Sequence, residues 1–142
     1  MEERLIGKVA ALVIRNGIAG AELLVFDHPL AEGGINIQLP AGTIDPHEEP
    51  EEAVVRELWE EAGVHGRIIG LAGVTDEEWQ GEKRRRWVYL LSASDRLPEE
   101  WPSTCDCGVA TLCHWVPFES AEIVWMQQPW LEMAREWVST LS

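Results

Sequence analysis

Apolar positions along this chain fall into short blocks whose spacing changes once, near residue 50. Leu5–Arg15 is apolar and rich in β-branched residues, Asn16-Gly17 follows as a turn signal, and Ala21–Phe26 is a second apolar block. Together they predict a hairpin with its loop near Asn16–Gly20. Glu32-Gly33-Gly34 marks a further loop, and Ile35–Leu39 predicts a short strand broken at Pro40. From Pro50 onward Ala53, Val54, Leu58 and Ala62 recur at helical intervals. Proline suits a first helical turn, Glu51 and Glu52 complement the helix dipole there, and Gly63 is a stop, so a helix is predicted from about Pro50 to Ala62. Ile68–Val74 and Trp87–Leu91 predict strands separated by a charged turn over Asp76–Arg86. Leu97–Gly108, with Pro98 and Pro102, reads as a loop, and Val109–Val116 as another strand. Pro129–Leu141 closes the chain as an amphipathic helix, with Trp130, Met133, Ala134, Trp137, Val138 and Leu141 on one face. Strands flank one central helix and precede a terminal one. That order predicts an α/β (α+β) fold, an α/β/α sandwich with a mixed sheet, a central helix and a C-terminal helix.

Composition narrows the class. A chain of 142 residues, 46% hydrophobic, suits a single domain over residues 1–142. Stretches such as Ala10–Ile14 and Trp87–Leu91 are far too short to span a bilayer. The start, Met1-Glu2-Glu3-Arg4, lacks the basic region and long apolar core of a signal peptide, so a cytoplasmic protein is expected. The formal charge of −14 repels nucleic acid and argues against a general DNA- or RNA-binding module. Cys105, Cys107 and Cys113 are odd in number within a domain able to pack without staples, which predicts reduced thiols. With His114 they could make a four-ligand zinc site, but the one-residue gap between Cys105 and Cys107 is not zinc-knuckle spacing, and ordinary strand and loop cysteines are the better reading.

The charge is unevenly placed. Between Gly42 and Val64 eight acids face one base, Arg56, so this segment holds −7 of the total. Glu57, Glu60 and Glu61 stand at i, i+3 and i+4 of the predicted helix, which puts three carboxylates on one face. Like charges so placed repel, and a hard divalent cation with its preference for oxygen ligands would relieve them. A solvated acidic face has the same composition, so the triplet alone does not decide.

The flanking residues do. Gly42, five residues, Glu48, seven residues, then Arg56-Glu57-Leu58-Trp59-Glu60-Glu61-Ala62-Gly63-Val64 fills nine constrained positions over 23 residues. This resembles the complete signature of the Nudix (MutT-like) hydrolase family. The resemblance implies a pyrophosphohydrolase, using Mg²⁺ or Mn²⁺, that cleaves a diphosphate linkage in a small nucleotide-like substrate by attack of water. It implies that Glu57, Glu60 and Glu61 bind metal, with the carbonyl of Gly42 or Ala41 facing the cation. Arg56 would pair with Glu48 or Glu57 and fix its direction, and Glu48 would orient the loop. For the proton acceptor, Glu57 or Glu61 is the choice within the signature. Outside it Asp106 is favoured as base or further metal ligand, then Glu99 or Glu100. A homodimer is the expectation raised by the family and by surplus tryptophan. The competing reading is a non-catalytic Nudix module that senses nucleotides or binds protein, and such modules typically lose the carboxylates present here. RNA 5′-end processing would need a basic surface that the chain offers only at residues 83–86.

The substrate is less legible. Leu39-Pro40-Ala41-Gly42 resembles the approach to the signature in ADP-ribose pyrophosphatases, but Trp79 stands where those enzymes usually carry proline. Tyr89 lies too far along for the tyrosine usual in diadenosine polyphosphate hydrolases. Within the basic run Lys83–Arg86, Arg84 and Arg86 are assigned to the distal phosphates. Of eight tryptophans, Trp87, Trp115 and Trp137 have apolar neighbours and are expected in the core. Trp79, Trp101 and Trp125 are left as base-stacking candidates, Trp79 first among them, and Trp59 as cover for a strand or an oligomer contact.

Overall fold

The computed structural model describes residues 5–94 and 96–141; the signal-peptide reading of Met1–Arg4 lies outside them. The strands are β1 (Leu5–Gly17), β2 (Gly20–Pro29), β3 (Ile35–Gln38), β4 (Ala41–Thr43), β5 (Gly66–Trp79), β6 (Glu82–Ala93), β7 (Glu100–Thr104) and β8 (Ala110–Pro117). The helices are α1 (Pro50–Ala62) and α2 (Gln128–Ser139), the latter entered through a 3-10 turn at Trp125–Gln127. One sheet runs β5-β6-β1-β2-β8-β7, with β3 added to β2 and β4 to β1. It is mixed because β1 changes partners. Leu5–Val13 pairs in parallel with β6, whereas Ile14–Gly17 pairs antiparallel with Gly20–Leu23 of β2. The predicted hairpin is therefore short, and β4 lies antiparallel along the earlier part of β1.

The period-two alternation of β1 explains the layers. Val9, Ala11 and Val13 pack with Ala53, Val54 and Leu58 of α1 on one face. Ala10 and Leu12 pack with Trp130, Leu131 and Ala134 of α2 on the other. A strand buried on both faces reads as a continuous apolar run, which is how Leu5–Arg15 reads. Trp87 and Trp115 pack on the α1 side and Trp137 on the α2 side, as expected from their neighbours.

Helix α1 has the boundaries its sequence dictates. Pro50 occupies the first turn, Glu52 accepts a hydrogen bond from the Glu49 N–H (3.0 Å), and Gly63 ends the helix at φ 68°, donating to the Trp59 carbonyl (2.8 Å).

Three expectations are corrected. Asp76–Arg86 is not a turn; β5 and β6 form a long antiparallel ladder reversed at Gln80-Gly81, with Asp76 opposite Arg85 and Glu77 opposite Arg84. Opposite charges across the ladder offset the missing apolar residues, and Arg85 Nε donates to Asp76 Oδ1 (2.8 Å). The Leu97–Gly108 segment holds β7, which among the described residues pairs only with β8 and tolerates Pro102 because an edge strand need not donate on its outer side. Cys105 and Cys107 are joined in a disulfide, since one intervening residue in a turn brings their Cα atoms to 5.1 Å, whereas Cys113 is a buried free thiol. The four-ligand zinc grouping does not form: Cys113 faces the α1 core and His114 Nε2 lies 2.7 Å from Asp27 Oδ1. Among the described residues no helix is long and apolar enough to cross a membrane.

Leu131 is fully buried in the α2 layer. Leu131→Ala is expected to lower unfolding free energy by about 2–5 kcal/mol in urea titration; a loss under 1 kcal/mol, on the order of a surface substitution, would contradict the packing of α2 described here.

Candidate active site

The apolar stripe of α1 is interrupted by charge. Its buried positions are Ala53, Val54, Glu57, Leu58, Glu61 and Ala62, so two glutamates stand where the helical period calls for hydrophobes. Glu57 is 4% exposed and Glu61 7%, while Glu60 stays exposed beside them. Burial costs an ionised carboxylate its hydration, so each must find compensation or hold a proton.

Arg56 supplies part of it. Its Nε and Nη2 donate to the two oxygens of Glu48 (2.8 and 2.9 Å), a bidentate pair. Nη1 donates to Glu57 Oε1 (3.0 Å) and Glu60 Oε2 (3.1 Å), and Nη2 also reaches the Thr43 carbonyl (2.9 Å). Both sequence-based pairings of Arg56 are thus present together. Glu48 also accepts from the Asp45 N–H (3.0 Å), which ties the loop before α1 to the same guanidinium. The Arg56 bond holds the Glu48 carboxyl below its ordinary value, and Glu48 in turn raises the proton affinity of Arg56.

The remaining parts come from elsewhere in the chain. Ala41, in β4, donates its N–H to Glu61 Oε1 (2.8 Å). At Gly42 a Cβ would collide with the Glu57 carboxylate, so only glycine leaves this space open. The turn between β7 and β8 brings Asp106, whose carboxylate oxygen, with one each from Glu57 and Glu60, forms a cluster within 4.8 Å. Ser103 Oγ donates to the Glu61 carbonyl (2.5 Å) and Trp101 Nε1 to the Ala62 carbonyl (2.8 Å), so β7 is latched to the end of α1. Trp101 is thereby a structural anchor rather than a stacking surface. Glu99 is drawn away to Arg15 (2.7 Å), and Glu100 stands on β7 opposite His114; of the three loop acids only Asp106 reaches the cluster.

The crowding shows in proton affinities. Burial first, then the neighbouring Asp106, pushes Glu57 up to about 7 against the opposing pull of Arg56. Burial pushes Glu61 up to about 8, with Asp106, Glu57 and Glu60 adding to it and the Ala41 N–H opposing. A divalent cation fits this set on three grounds. Glu57 Oε2 is buried without a hydrogen-bond partner among the described residues, the cluster is all oxygen, and the missing Cβ at Gly42 leaves a cradle for the Glu57 carboxylate.

A cleft of ≈550 Å³ borders Gly42 and is lined by Lys8, Thr75, Trp79, Arg84, Trp125 and Trp130, among others. Arg86 lies on its wall but is committed elsewhere: it is 5% exposed, donates to Glu77 (3.0 Å) and the Val9 carbonyl (2.9 Å), and sits over the Trp130 ring (4.1 Å). Its assignment to substrate phosphates gives way to a role in fixing α2 on the sheet. Arg84 is held by Glu82 (2.8 Å) and remains on the cleft wall. Lys8 is the residue sequence reasoning passed over. It projects from β1 opposite Thr43, donates to Thr43 Oγ1 (2.6 Å), and has its proton affinity lowered by burial and then by Arg84 and Arg86. A lysine inside an otherwise apolar strand was the available signal. Trp79 and Trp125 line the cleft at 39% and 75% exposure, whereas Trp59 is stacked on His65 away from it. A larger groove, ≈1160 Å³, is lined by Arg15, Trp115 and Trp137; neither hollow has an α1 carboxylate in its lining, but the smaller one has Ala41 and Gly42 on its wall, which touch Glu61 and Glu57.

Comparisons with known proteins give the family and the fold. The NUDIX domain model matches residues 7–139. Diphosphoinositol polyphosphate phosphohydrolase 3-alpha of Mus musculus is 40% identical over 70 residues, covering 49% of this chain and 42% of that protein. Its 3-beta counterpart from Homo sapiens is 41% identical over the same lengths, so the match spans less than half of these curated relatives. The structure of a MutT NUDIX hydrolase from Burkholderia pseudomallei aligns over 92% of this chain and 98% of its own, with TM-score 0.69 and 24% identity. An Ap4A hydrolase from C. elegans aligns over 96% and 100%, with TM-score 0.71 and 15% identity. At these identities the structural matches speak to the fold.

Raised proton affinities at Glu57 and Glu61 have a definite sign for stability. The folded state binds their protons more tightly than the unfolded chain does, so their contribution is complete below the ordinary value of 4.5 and is lost as pH rises through about 7 to 8. Metal-free protein should therefore melt at progressively lower temperature between those limits, and Glu57→Gln with Glu61→Gln should flatten the slope. A melting temperature rising across the same window would contradict the burial assigned to these carboxylates.

Proposed function

Because the chain belongs to the NUDIX family, we propose that it is a pyrophosphohydrolase acting on a diphosphate linkage in a nucleoside diphosphate derivative, with Mg²⁺ or Mn²⁺ held by Glu57, Glu60 and Asp106. The observation that carries the metal reading is the buried, partnerless Glu57 Oε2 inside an all-oxygen cluster. A bound divalent cation would supply neutralisation of phosphate oxygens and a lowered pKa for water.

The side chains divide the remaining work. Arg56 fixes the directions of Glu57 and Glu60, and Glu48 fixes Arg56. Glu61 is anchored through Oε1 on the Ala41 N–H, which would leave its second oxygen to take the proton from attacking water. Gly42, having no Cβ, leaves room for the Glu57 carboxylate against β4. Lys8 and Arg84, on the cleft wall, would face the charge of the diphosphate, and Trp79 and Trp125 would stack on a base.

The cleft favours a nucleoside over a highly phosphorylated inositol. Its wall carries Asp76, Glu77 and Glu78, and Arg86 is withdrawn to Glu77, which leaves Lys8 and the Glu82-paired Arg84 to meet phosphate. A ligand bearing many phosphates would meet this acidic rim, whereas a base would meet tryptophan.

Purified protein should release a phosphorylated product from ADP-ribose, a nucleoside triphosphate or a dinucleoside polyphosphate only when Mg²⁺ or Mn²⁺ is present. Glu57→Gln should lower kcat on the order of a hundredfold or more. Turnover confined to diphosphoinositol polyphosphates would overturn the nucleoside assignment, and tight nucleotide binding without turnover would favour a sensing module. Trp125→Ala should raise KM for the best nucleotide about fivefold or more with kcat little changed; an unchanged KM would remove Trp125 from the base site.

A further inference from the structure

Asp106, which brings a third carboxylate to the proposed cation site, stands between two cysteines. The β7–β8 hairpin reverses over residues 105–108, where the Gly108 N–H donates to the Cys105 carbonyl (2.9 Å) and the Cys105 N–H to the Val109 carbonyl (3.0 Å). Inside this reversal the Cys105–Cys107 disulfide closes a ring that contains Asp106 alone between its ends. His28, from β2, flanks the bond, with Nε2 3.2 Å from Cys107 Sγ and 3.7 Å from Cys105 Sγ. The base of the hairpin is fixed to α1 through Trp101 and Ser103. Two restraints therefore place the Asp106 carboxylate beside Glu57 and Glu60: the latch on β7 and the covalent ring around Asp106 itself. The latch is built of hydrogen bonds in the folded domain, while the ring can be opened chemically. Cys107 is exposed, so a small reductant can reach it, and Cys113 is sealed in the core and does not compete.

We propose that Cys105 and Cys107 form a redox-responsive pair that sets the metal affinity of the Glu57–Glu60–Asp106 cluster. The disulfide confines the backbone at Asp106 and holds its carboxylate in the cluster; reduction frees the turn and withdraws one ligand. This rests on the metal reading above. The reductant is a dithiol. One of its thiolates attacks the exposed Cys107 sulfur and expels Cys105 as a thiolate, which takes up a proton. Its second thiol then displaces Cys107 and leaves the reductant as a cyclic disulfide. Two electrons and two protons pass to the protein, and a disulfide of the same class reverses the exchange. In a reducing compartment bonds of this kind are characteristically transient and sensory rather than structural.

The test is Mn²⁺ affinity of the full chain, read from the free-ion EPR signal after oxidation and, separately, after dithiol treatment with the reductant removed. Alkylation of Cys105 and Cys107, located by mass spectrometry, certifies each state. The reduced protein is expected to bind Mn²⁺ about tenfold more weakly. Cys107→Ser should match the reduced wild type and ignore either treatment, and Asp106→Asn should bind equally in both states. Equal affinity in the two wild-type states would overturn the switch while leaving the metal reading intact. So would cysteines that stay alkylatable in oxidising buffer, or a redox difference that survives Asp106→Asn. Stoichiometric Zn²⁺ uptake by the reduced protein, lost in His28→Ala, would assign the pair to a metal instead and also overturn it. Absence of Mn²⁺ binding in either state would bring down the metal reading and the switch with it.

Discussion

The guanidinium of Arg56 is the charge on which the site depends. It is the single basic residue between Gly42 and Val64, and it holds Glu48 by two bonds while reaching Glu57 and Glu60 with a third nitrogen. Without it the buried Glu57 would face Asp106 with only the more distant charge of Lys8 among the described residues to oppose the repulsion, and the loop before α1 would lose its tie to the helix. Arg56 leaves the compensation incomplete. Glu57 retains an oxygen without a hydrogen-bond partner and both core-facing glutamates hold protons unusually tightly. Residual electrostatic strain of this kind is tolerable in a folded domain when a ligand relieves it.

Three distant stretches of chain meet at that point because of how the sheet is built. The switch of β1 from β6 to β2 gives β4 a place along β1, so Ala41 and Gly42 face α1. The β7–β8 hairpin lies at the sheet's other end, yet Trp101 and Ser103 bind it to the last turn of α1, and this carries Asp106 to the carboxylates. The long β5–β6 ladder supplies Trp79 and Arg84 to the cleft beside them. Stability and function are coupled here: the Glu77–Arg86–Trp130 contact that seats α2 on the sheet also forms one wall of the cleft.

Much of this is written in local sequence. The limits of α1 follow from Pro50 and Gly63, and the two-faced core follows from the unbroken apolar run of β1. The carboxylate face of α1 could be read because a helix fixes the spatial relation of residues three and four apart. What could not be read depends on partners remote in the chain. Asp76–Arg86 looks like a polar turn until Asp76, Glu77 and Glu78 are set against Arg85, Arg84 and Lys83 on the opposing strand. Glu100–Thr104 looks like a proline-bearing loop until β8 is beside it. Arg86 and Arg84 are alike in sequence and both pair with β1, but Glu77, the Val9 carbonyl and the Trp130 ring close over Arg86 and bury it, while Arg84 keeps partial exposure beside Glu82. Lys8 gained its place at the cleft only through β4, a three-residue strand too short to announce itself.

The most direct measurement is a crystal of the protein grown with Mn²⁺ and a non-hydrolysable nucleotide, with anomalous scattering recorded at the manganese edge. The expected result is an anomalous peak coordinated by Glu57, through the oxygen that otherwise has no hydrogen-bond partner, with Glu60 and Asp106 as further ligands and the nucleotide's phosphates against Gly42. No peak among these carboxylates at saturating Mn²⁺, or a metal bound elsewhere in the fold, would contradict the assignment of the α1 face as the catalytic centre.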